Sequence, residues 1–234
     1  MSDILHISDL HLLPKGEKVF GFVETYGRFL SLCACLKNLR YDAIVCTGDM
    51  FHNSVNPLLE RFFRKKISCP NLFFVEGNHD RGCGESFLFD LPDCRLVGFN
   101  SMSDIARPFL LSALAVNKPI LLFFHHPPVA SGRVFLDKRC AAVAHLLTNV
   151  GLKGKNVLLC CGHLHQALTS TFLGCVVVCA PPLGFGLELT ANGKNAMIDN
   201  SAGLVLHSIN KDTVISRFLQ IPGEYTFKKL YFTS

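Results

Sequence analysis

Charge is scarce in this chain. Only 18% of its 234 residues are charged and 49% are hydrophobic, which excludes the charge-rich balance of a disordered protein and leaves ample apolar surface for a core. Long apolar runs are missing as well. Even Ile120 to Phe124 and Cys175 to Ala180 are of strand length, far short of the roughly 18 residues expected of a transmembrane helix. The opening Met1-Ser2-Asp3-Ile4-Leu5-His6 has no basic segment and no uninterrupted apolar stretch, so the expectation is a soluble cytoplasmic protein without a leader. No internal repeat, low-complexity segment or linker is visible, and the length fits one domain over 1–234.

Basic residues are too dispersed to name a partner. The net charge is +5 and Arg64-Lys65-Lys66 is the one tight run, which reads as a solvated helix face; no basic stripe is present to hold a nucleic-acid backbone. Eleven cysteines is a high and odd number, but Cys33, Cys35, Cys46, Cys160, Cys161, Cys175 and Cys179 lie inside apolar runs. They read as reduced core thiols, and neither Cys33-Ala34-Cys35 nor Cys160-Cys161 has a second pair at zinc-site spacing.

Periodicity predicts alternating strands and helices in the first two thirds: strands at Ile4–Ser8, Ala43–Thr47, Leu72–Val75, Cys94–Phe99, Ile120–Phe124 and Val157–Cys161, and helices at Phe22–Leu39, Pro57–Lys66, Ile105–Val116 and Leu136–Val150. Such alternation favours parallel pairing. Afterwards Leu168–Leu173, Cys175–Cys179, Gly203–Ile209 and Thr213–Leu219 follow as strands without helices, which predicts a β-rich, antiparallel last third. The stretch Gly184–Asn200, with Gly and Asn and weak periodicity, reads as a long loop.

Five polar clusters stand immediately after apolar strands: Asp9-Leu10-His11, Gly48-Asp49, Gly77-Asn78-His79-Asp80, His125-His126-Pro127-Pro128 and Gly162-His163-Leu164-His165. Alone, each has a bland reading as a turn, an N-cap or a core histidine. Together they are harder to dismiss, because ligands bind at the carboxyl ends of strands in open α/β sheets, so the clusters can converge on one rim. Carboxylate, amide oxygen and imidazole suit manganese, iron or zinc without any thiolate. Two such ions, roughly 3.5–4 Å apart, can share a carboxylate, for which Asp49 is the choice.

In this order the clusters resemble the calcineurin-like metallophosphoesterase superfamily, with its D-x-H, G-D, G-N-H-[DE], H and G-H-x-H series, over Asp9 to His165. The resemblance implies an α/β fold, a four-layer α/β/β/α sandwich of two mixed β-sheets. It implies Asp9, His11 and His165 on one metal, Asn78, His125 and His163 on the other, and Asp49 between them. His79 would contact the scissile phosphate and help protonate the leaving group, with Asp80 orienting its ring, while His11, Asn78 and His165 also face the substrate. Each metal lowers the pKa of bound water, so a bridging hydroxide would attack in line. His125 against His126 stays open as the ligand of their pair, with His125 preferred. His52 reads as a surface or pocket-wall residue, and His6, His145 and His207 as structural.

Gly48-Asp49-Met50-Phe51-His52 departs from the Gly-Asp-x-x-Asp-Arg-Gly of protein phosphatases. Ile-Ser-Asp-Leu-His-Leu at 7–12, His125-His126-Pro127-Pro128 and Cys161-Gly162-His163-Leu164-His165-Gln166 are similar to the class III cyclic-nucleotide phosphodiesterases and their bacterial relatives. The expected substrate is therefore a 3′,5′-cyclic nucleotide or another small anionic phosphodiester. A UDP-sugar lipid pyrophosphatase, a nuclease or a non-catalytic protein-binding scaffold are the alternatives, and a homodimer stays open.

Overall fold

The computed structural model describes residues 1–231 apart from 54–55, 83, 104–105, 190–194, 212 and 222–227. The first sheet is built on β1 (Ser2–Ile7), which pairs in parallel with β2 (Ala43–Cys46), itself parallel to β3 (Leu72–Phe74). On its other side β1 is antiparallel to β12 (Gly203–Asn210), and β13 (Thr213–Gln220) forms the edge, giving the order β13-β12-β1-β2-β3. A second sheet has the order β4-β5-β6-β7-β9-β8, from β4 (Phe87–Asp90), β5 (Arg95–Gly98), β6 (Ile120–Phe123), β7 (Val157–Cys161), β8 (Leu168–Phe172) and β9 (Cys175–Cys179). Both sheets are mixed, as expected.

Three apolar clusters account for the layering. Ile4, Ala43, Val45 and Val205 of the first sheet pack with Leu96, Leu121, Phe123, Cys160 and Val178 of the second, so the sheets lie face to face. The outer face of the first sheet, through Leu5, Ile44 and Phe74, covers α1 (Thr25–Leu36) and α2 (Pro57–Ile67) with Phe29, Leu32 and Phe63. The outer face of the second, through Val97, Leu122 and Leu159, covers α3 (Arg107–Ala113) and α4 (Cys140–Asn149) with Leu110, Val143 and Leu147. Strands buried on both faces must be apolar throughout, which is why β6 and β7 read as continuous hydrophobic runs. The result is the four-layer α/β/β/α sandwich.

Several local expectations need correction. The helix expected at Phe22–Leu39 begins only at Thr25, because Val19 and Val23 exchange backbone hydrogen bonds and fold the preceding residues into a tight turn. Ile105, the expected start of the third helix, lies outside the described residues, and α3 runs from Arg107 to Ala113. The segment expected as a loop at 184–200 carries β10 (Gly186–Leu189) and β11 (Asn195–Asp199), antiparallel to each other, with 190–194 outside the described residues; β14 (Lys228–Tyr231) completes a third sheet. The last third is not uniformly antiparallel either, since β9 pairs in parallel with β7.

A buried polar chain runs across the first sheet and meets the second at Cys160. The His6 Nδ1 and His207 Nε2 atoms are 3.3 Å apart, His6 Nε2 is 2.8 Å from Thr47 Oγ1, and His207 Nδ1 is 2.8 Å from Ser216 Oγ. Cys160 Sγ lies 3.8 Å from His207 Nε2. Neutral imidazoles bonded in series satisfy every ring nitrogen, and burial holds both pKa values down, that of His207 to about 3.

Candidate metal centre

The five polar clusters meet where β1, β2, β3, β6 and β7 end. Loop-to-loop hydrogen bonds lock them together: Asp9 N–H donates to the Gly48 carbonyl, His11 N–H to the Asp49 carbonyl, and Gly162 N–H to the His125 carbonyl. Gly48 is needed at its position, since it has φ +90° and a Cβ there would stand 2.6 Å from His125 Nδ1 and 2.7 Å from the Gly77 backbone. Asp9, His11, Asp49, His163 and His165 all have φ between +50° and +71°. Left-handed non-glycine residues cost on the order of 1 kcal/mol each, so five at one rim mark a place where side-chain direction outweighs backbone comfort.

The side chains form two donor sets. In one, His11 Nε2 and His165 Nε2 are 3.2 Å apart and Asp9 Oδ1 is 3.4 Å from His165 Nε2. In the other, His125 Nε2 is 3.2 Å from both Asn78 Oδ1 and His163 Nδ1. Asp49 Oδ2 belongs to both, 3.7 Å from His11 Nε2 and 3.4 Å from His125 Nε2. Its other oxygen, Oδ1, accepts the His79 N–H at 2.8 Å.

The outer ring nitrogens fix the tautomers. His125 Nδ1–H donates to the Thr47 carbonyl at 2.7 Å, His165 Nδ1–H to the Phe185 carbonyl at 2.8 Å and His163 Nε2–H to the Leu136 carbonyl at 2.8 Å. With its outer nitrogen so committed, each ring can offer its other nitrogen inward as a ligand, the arrangement that metal-ligating histidines share. Lone pairs facing one another repel unless a cation lies between them. Two donors about 2.1 Å from one ion are themselves roughly 3.2 Å apart at an angle near 100°. Asp9 Oδ1 is buried without a hydrogen-bond partner, although Oδ2 accepts the His163 N–H at 2.9 Å. These residues fit a pair of metal ions.

The electrostatics agree. Burial holds the His163 pKa down to about 3, with His125 adding repulsion, and burial likewise keeps His11 well below its usual range, so both are neutral donors at pH 7. Burial also opposes a charge on His125, but Asp49 and Asp9 beside it prevail and push its pKa up to about 10. Asp49, despite its burial, is held well below the carboxylate range by His125, His11 and His79. The cluster demands positive charge, and a proton on His125 supplies it where metal is absent.

One nitrogen of His126 is engaged outside the centre, its Nδ1 being 2.9 Å from Ser101 Oγ, while the ring also stands with His125 and His163 in a group that could hold an ion, and burial together with His125 and His163 holds its pKa far below normal. Asp80 does not touch the His79 ring, contrary to expectation. Its oxygens accept Gly77 N–H at 2.8 Å and Met50 N–H at 2.7 Å, and burial with the nearby Asp49 raises its pKa to about 6. The His79 ring is instead held by Nδ1–H donating to the His52 carbonyl at 2.9 Å. His52 does more than line a wall, because its own Nδ1 stands 3.2 Å from His11 Nδ1. Its position three residues after Asp49 was the one available signal; nothing in the sequence pointed to Thr47, Leu136 or Phe185, which act through carbonyls.

A cleft of about 240 Å³ opens over the centre. His11, Asp49, Asn78, His79, His163 and His165 line its floor, and Phe20, Phe135, Leu136, Phe185 and Leu187 its walls. Among the described residues no helix is long and apolar enough to cross a membrane.

Known proteins resemble this chain in sequence and in fold. A cAMP/cGMP dual specificity phosphodiesterase of Mycobacterium tuberculosis is 29% identical, covering 95% of this chain and 80% of its own length. A glycerophosphodiester phosphodiesterase of Enterobacter lignolyticus is 25% identical over 76% of each chain. In structure, a dimetal phosphatase of Danio rerio superposes with a TM-score of 0.63 over 99% of both chains at 13% identity, a likeness of fold. The sequence model of the calcineurin-like phosphoesterases matches residues 2–167, the stretch that carries all five strand-end clusters, and the chain belongs to that family of phosphate-ester hydrolases.

Proposed function

We propose that this chain is a dinuclear metal-dependent phosphodiesterase acting on a 3′,5′-cyclic nucleotide or another small phosphodiester. The observation that carries this reading is the pair of donor sets sharing one carboxylate oxygen, Asp49 Oδ2, at the floor of an open cleft. Asp9, His11 and His165 would hold one ion and Asn78, His125 and His163 the other. The donor types suit manganese or iron, and zinc is also admissible. When bound, the two ions supply Lewis acidity toward the phosphoryl oxygens and lower the pKa of water.

The protein supplies position, charge and a proton. Two divalent ions against two carboxylates leave a net charge of about +2 in the site, which draws in an anionic ester. Asp80, by tying Met50 and Gly77 together, holds the loops bearing Asp49 and Asn78 in register. His79 has Nδ1 committed to the His52 carbonyl and Nε2 left over, so Nε2 as imidazolium can protonate the departing alkoxide. The named activities of the two relatives support a diester substrate, and both sheets sharing one core supports treating 1–234 as a single domain.

Purified protein with manganese should be offered bis(p-nitrophenyl) phosphate, 2′,3′- and 3′,5′-cyclic nucleotides and glycerophosphodiesters. Turnover of a diester is expected, and His79→Asn should reduce kcat by roughly 100-fold or more while elemental analysis still finds two ions. If every diester stays intact in the wild-type sample, the reading is wrong. Unchanged turnover in His79→Asn would remove that residue from its role.

A further inference from the structure

Phe20 stands apart among the large apolar side chains at the cleft. It is 44% exposed, yet it lines the opening above the metal centre. Its backbone is at φ +52°, a left-handed conformation that is a true outlier for a bulky residue. The turn that imposes it is firmly anchored. Val19 and Val23 exchange two hydrogen bonds of 2.9 Å, and both are buried with Leu13, Phe185, Leu187 and Ile198 in a small apolar cluster of their own. The strain is not spent on burying the ring, because the ring is left in the open. It is spent on aiming it.

The surroundings say what the ring can meet. Its centroid is 5.4 Å from that of Phe185 at 75°, and 6.3 Å from that of His52 at 79°. Phe185 in turn lies 4.5 Å from His165 and 5.3 Å from His11. A run of aromatic contacts therefore leads from the donor set of one metal to the partly exposed ring of Phe20, which Phe22 also neighbours at 6.3 Å. Phe135 and Leu136 add apolar surface to the same cleft. Among the described residues no lysine or arginine lines this cleft, so these walls offer no cationic partner to a second phosphate or a charged alcohol. A flat, uncharged, π-bearing group does have one.

We propose that Phe20 is a specificity-determining residue, the platform on which the nucleobase of a nucleotide diester stacks while its phosphate sits over the metals. The inference rests on the phosphodiesterase reading of the same site and narrows it: aromatic-bearing diesters are favoured over alkyl diesters such as glycerophosphoethanolamine. Stacking on an aromatic side chain tolerates any base, so cAMP and cGMP would both be accepted.

The test compares Phe20→Leu, which keeps apolar bulk without a ring face, with Phe20→Tyr, which keeps the face. Two ratios are read in the manganese-loaded protein: kcat/KM for 3′,5′-cAMP over that for glycerophosphoethanolamine, and the dissociation constant of inorganic phosphate over that of 5′-AMP, measured calorimetrically. Phe20→Leu should lower both ratios by about tenfold or more, and Phe20→Tyr should restore them. Ratios that stay fixed in Phe20→Leu overturn the platform, as does a wild type that binds 5′-AMP no better than phosphate. If the wild type splits no diester at all, the phosphodiesterase reading fails by itself, and the binding ratio still decides the role of Phe20. Circular dichroism and the melting midpoint confirm that the variants are folded, which the exposure of the ring makes the expected result.

Discussion

One residue, His52, touches two others in the centre by different means. Its ring nitrogen faces His11 Nδ1 and its carbonyl accepts from His79, so removing the side chain separates the two contacts. In His52→Ala the carbonyl remains and His79 keeps its partner, whereas His11 loses the group that fixes its tautomer. Affinity for one of the two ions should then fall by roughly 10- to 100-fold, the usual cost of removing an outer partner of a ligating histidine, and competition with a chromogenic chelator reads it. Equal affinity in wild type and variant would mean that the Nδ1 pair carries no weight. Asp80 teaches a related lesson. The sequence places it beside His79, and neighbours in sequence suggest contact, but the direction of a side chain is set by the turn, which here points the carboxylate at two backbone N–H groups.

At the scale of strands and helices, legibility followed burial. β2, β6 and β7 are apolar along their whole length because both faces are covered, and β1 is so from Ile4 to Ile7 apart from His6, so the polar residue that follows each run is conspicuous; that is why Asp9, Asp49, His125 and His163 could be singled out. β10 and β11 were hidden for the opposite reason. They belong to a small third sheet whose other strand, β14, lies some thirty residues further on, and Gly and Asn between them read as loop chemistry. The parallel pairing of β9 with β7 was equally invisible, since β8 intervenes in sequence and strand order is a non-local property. The His6–His207 contact ties β1 to its partner β12 and yields a prediction of its own. Burial depresses the His207 pKa to about 3, so the unfolded chain takes up a proton that the folded one refuses. Stability is then complete above the unfolded pKa of about 6.5 and declines as pH falls toward 3. Between pH 7 and pH 5 the loss from this residue is about 2 kcal/mol. Urea titrations in the presence of chelator should show the drop in wild type and a smaller one in His207→Gln; identical drops would mean that His207 is not the group responsible.

Taken as a whole, the molecule is built on two packed sheets, with a small third one, and the metal centre gathers side chains from the strand ends of both packed sheets. Asp9, Asp49 and Asn78 follow strands of the first sheet, and His125, His163 and His165 follow strands of the second. Ions held by both groups would tie the layers together. At a hundredfold excess over its Kd each ion adds roughly 3 kcal/mol to stability, so dialysis against a chelator should lower the melting midpoint by on the order of 10 °C, with recovery on adding manganese. An unchanged midpoint would show that the donor sets hold no metal. The strand order also has a consequence for how the chain is made. β1 lies in the middle of its sheet, between β2 and a strand that begins only at Gly203. As the chain leaves the ribosome every metal ligand, Asp9 through His165, is already out while β1 still has one bare edge. The first sheet waits until Gly203–Asn210 has been translated, and a nascent chain stalled before that point presents an open strand on which a second copy can pair.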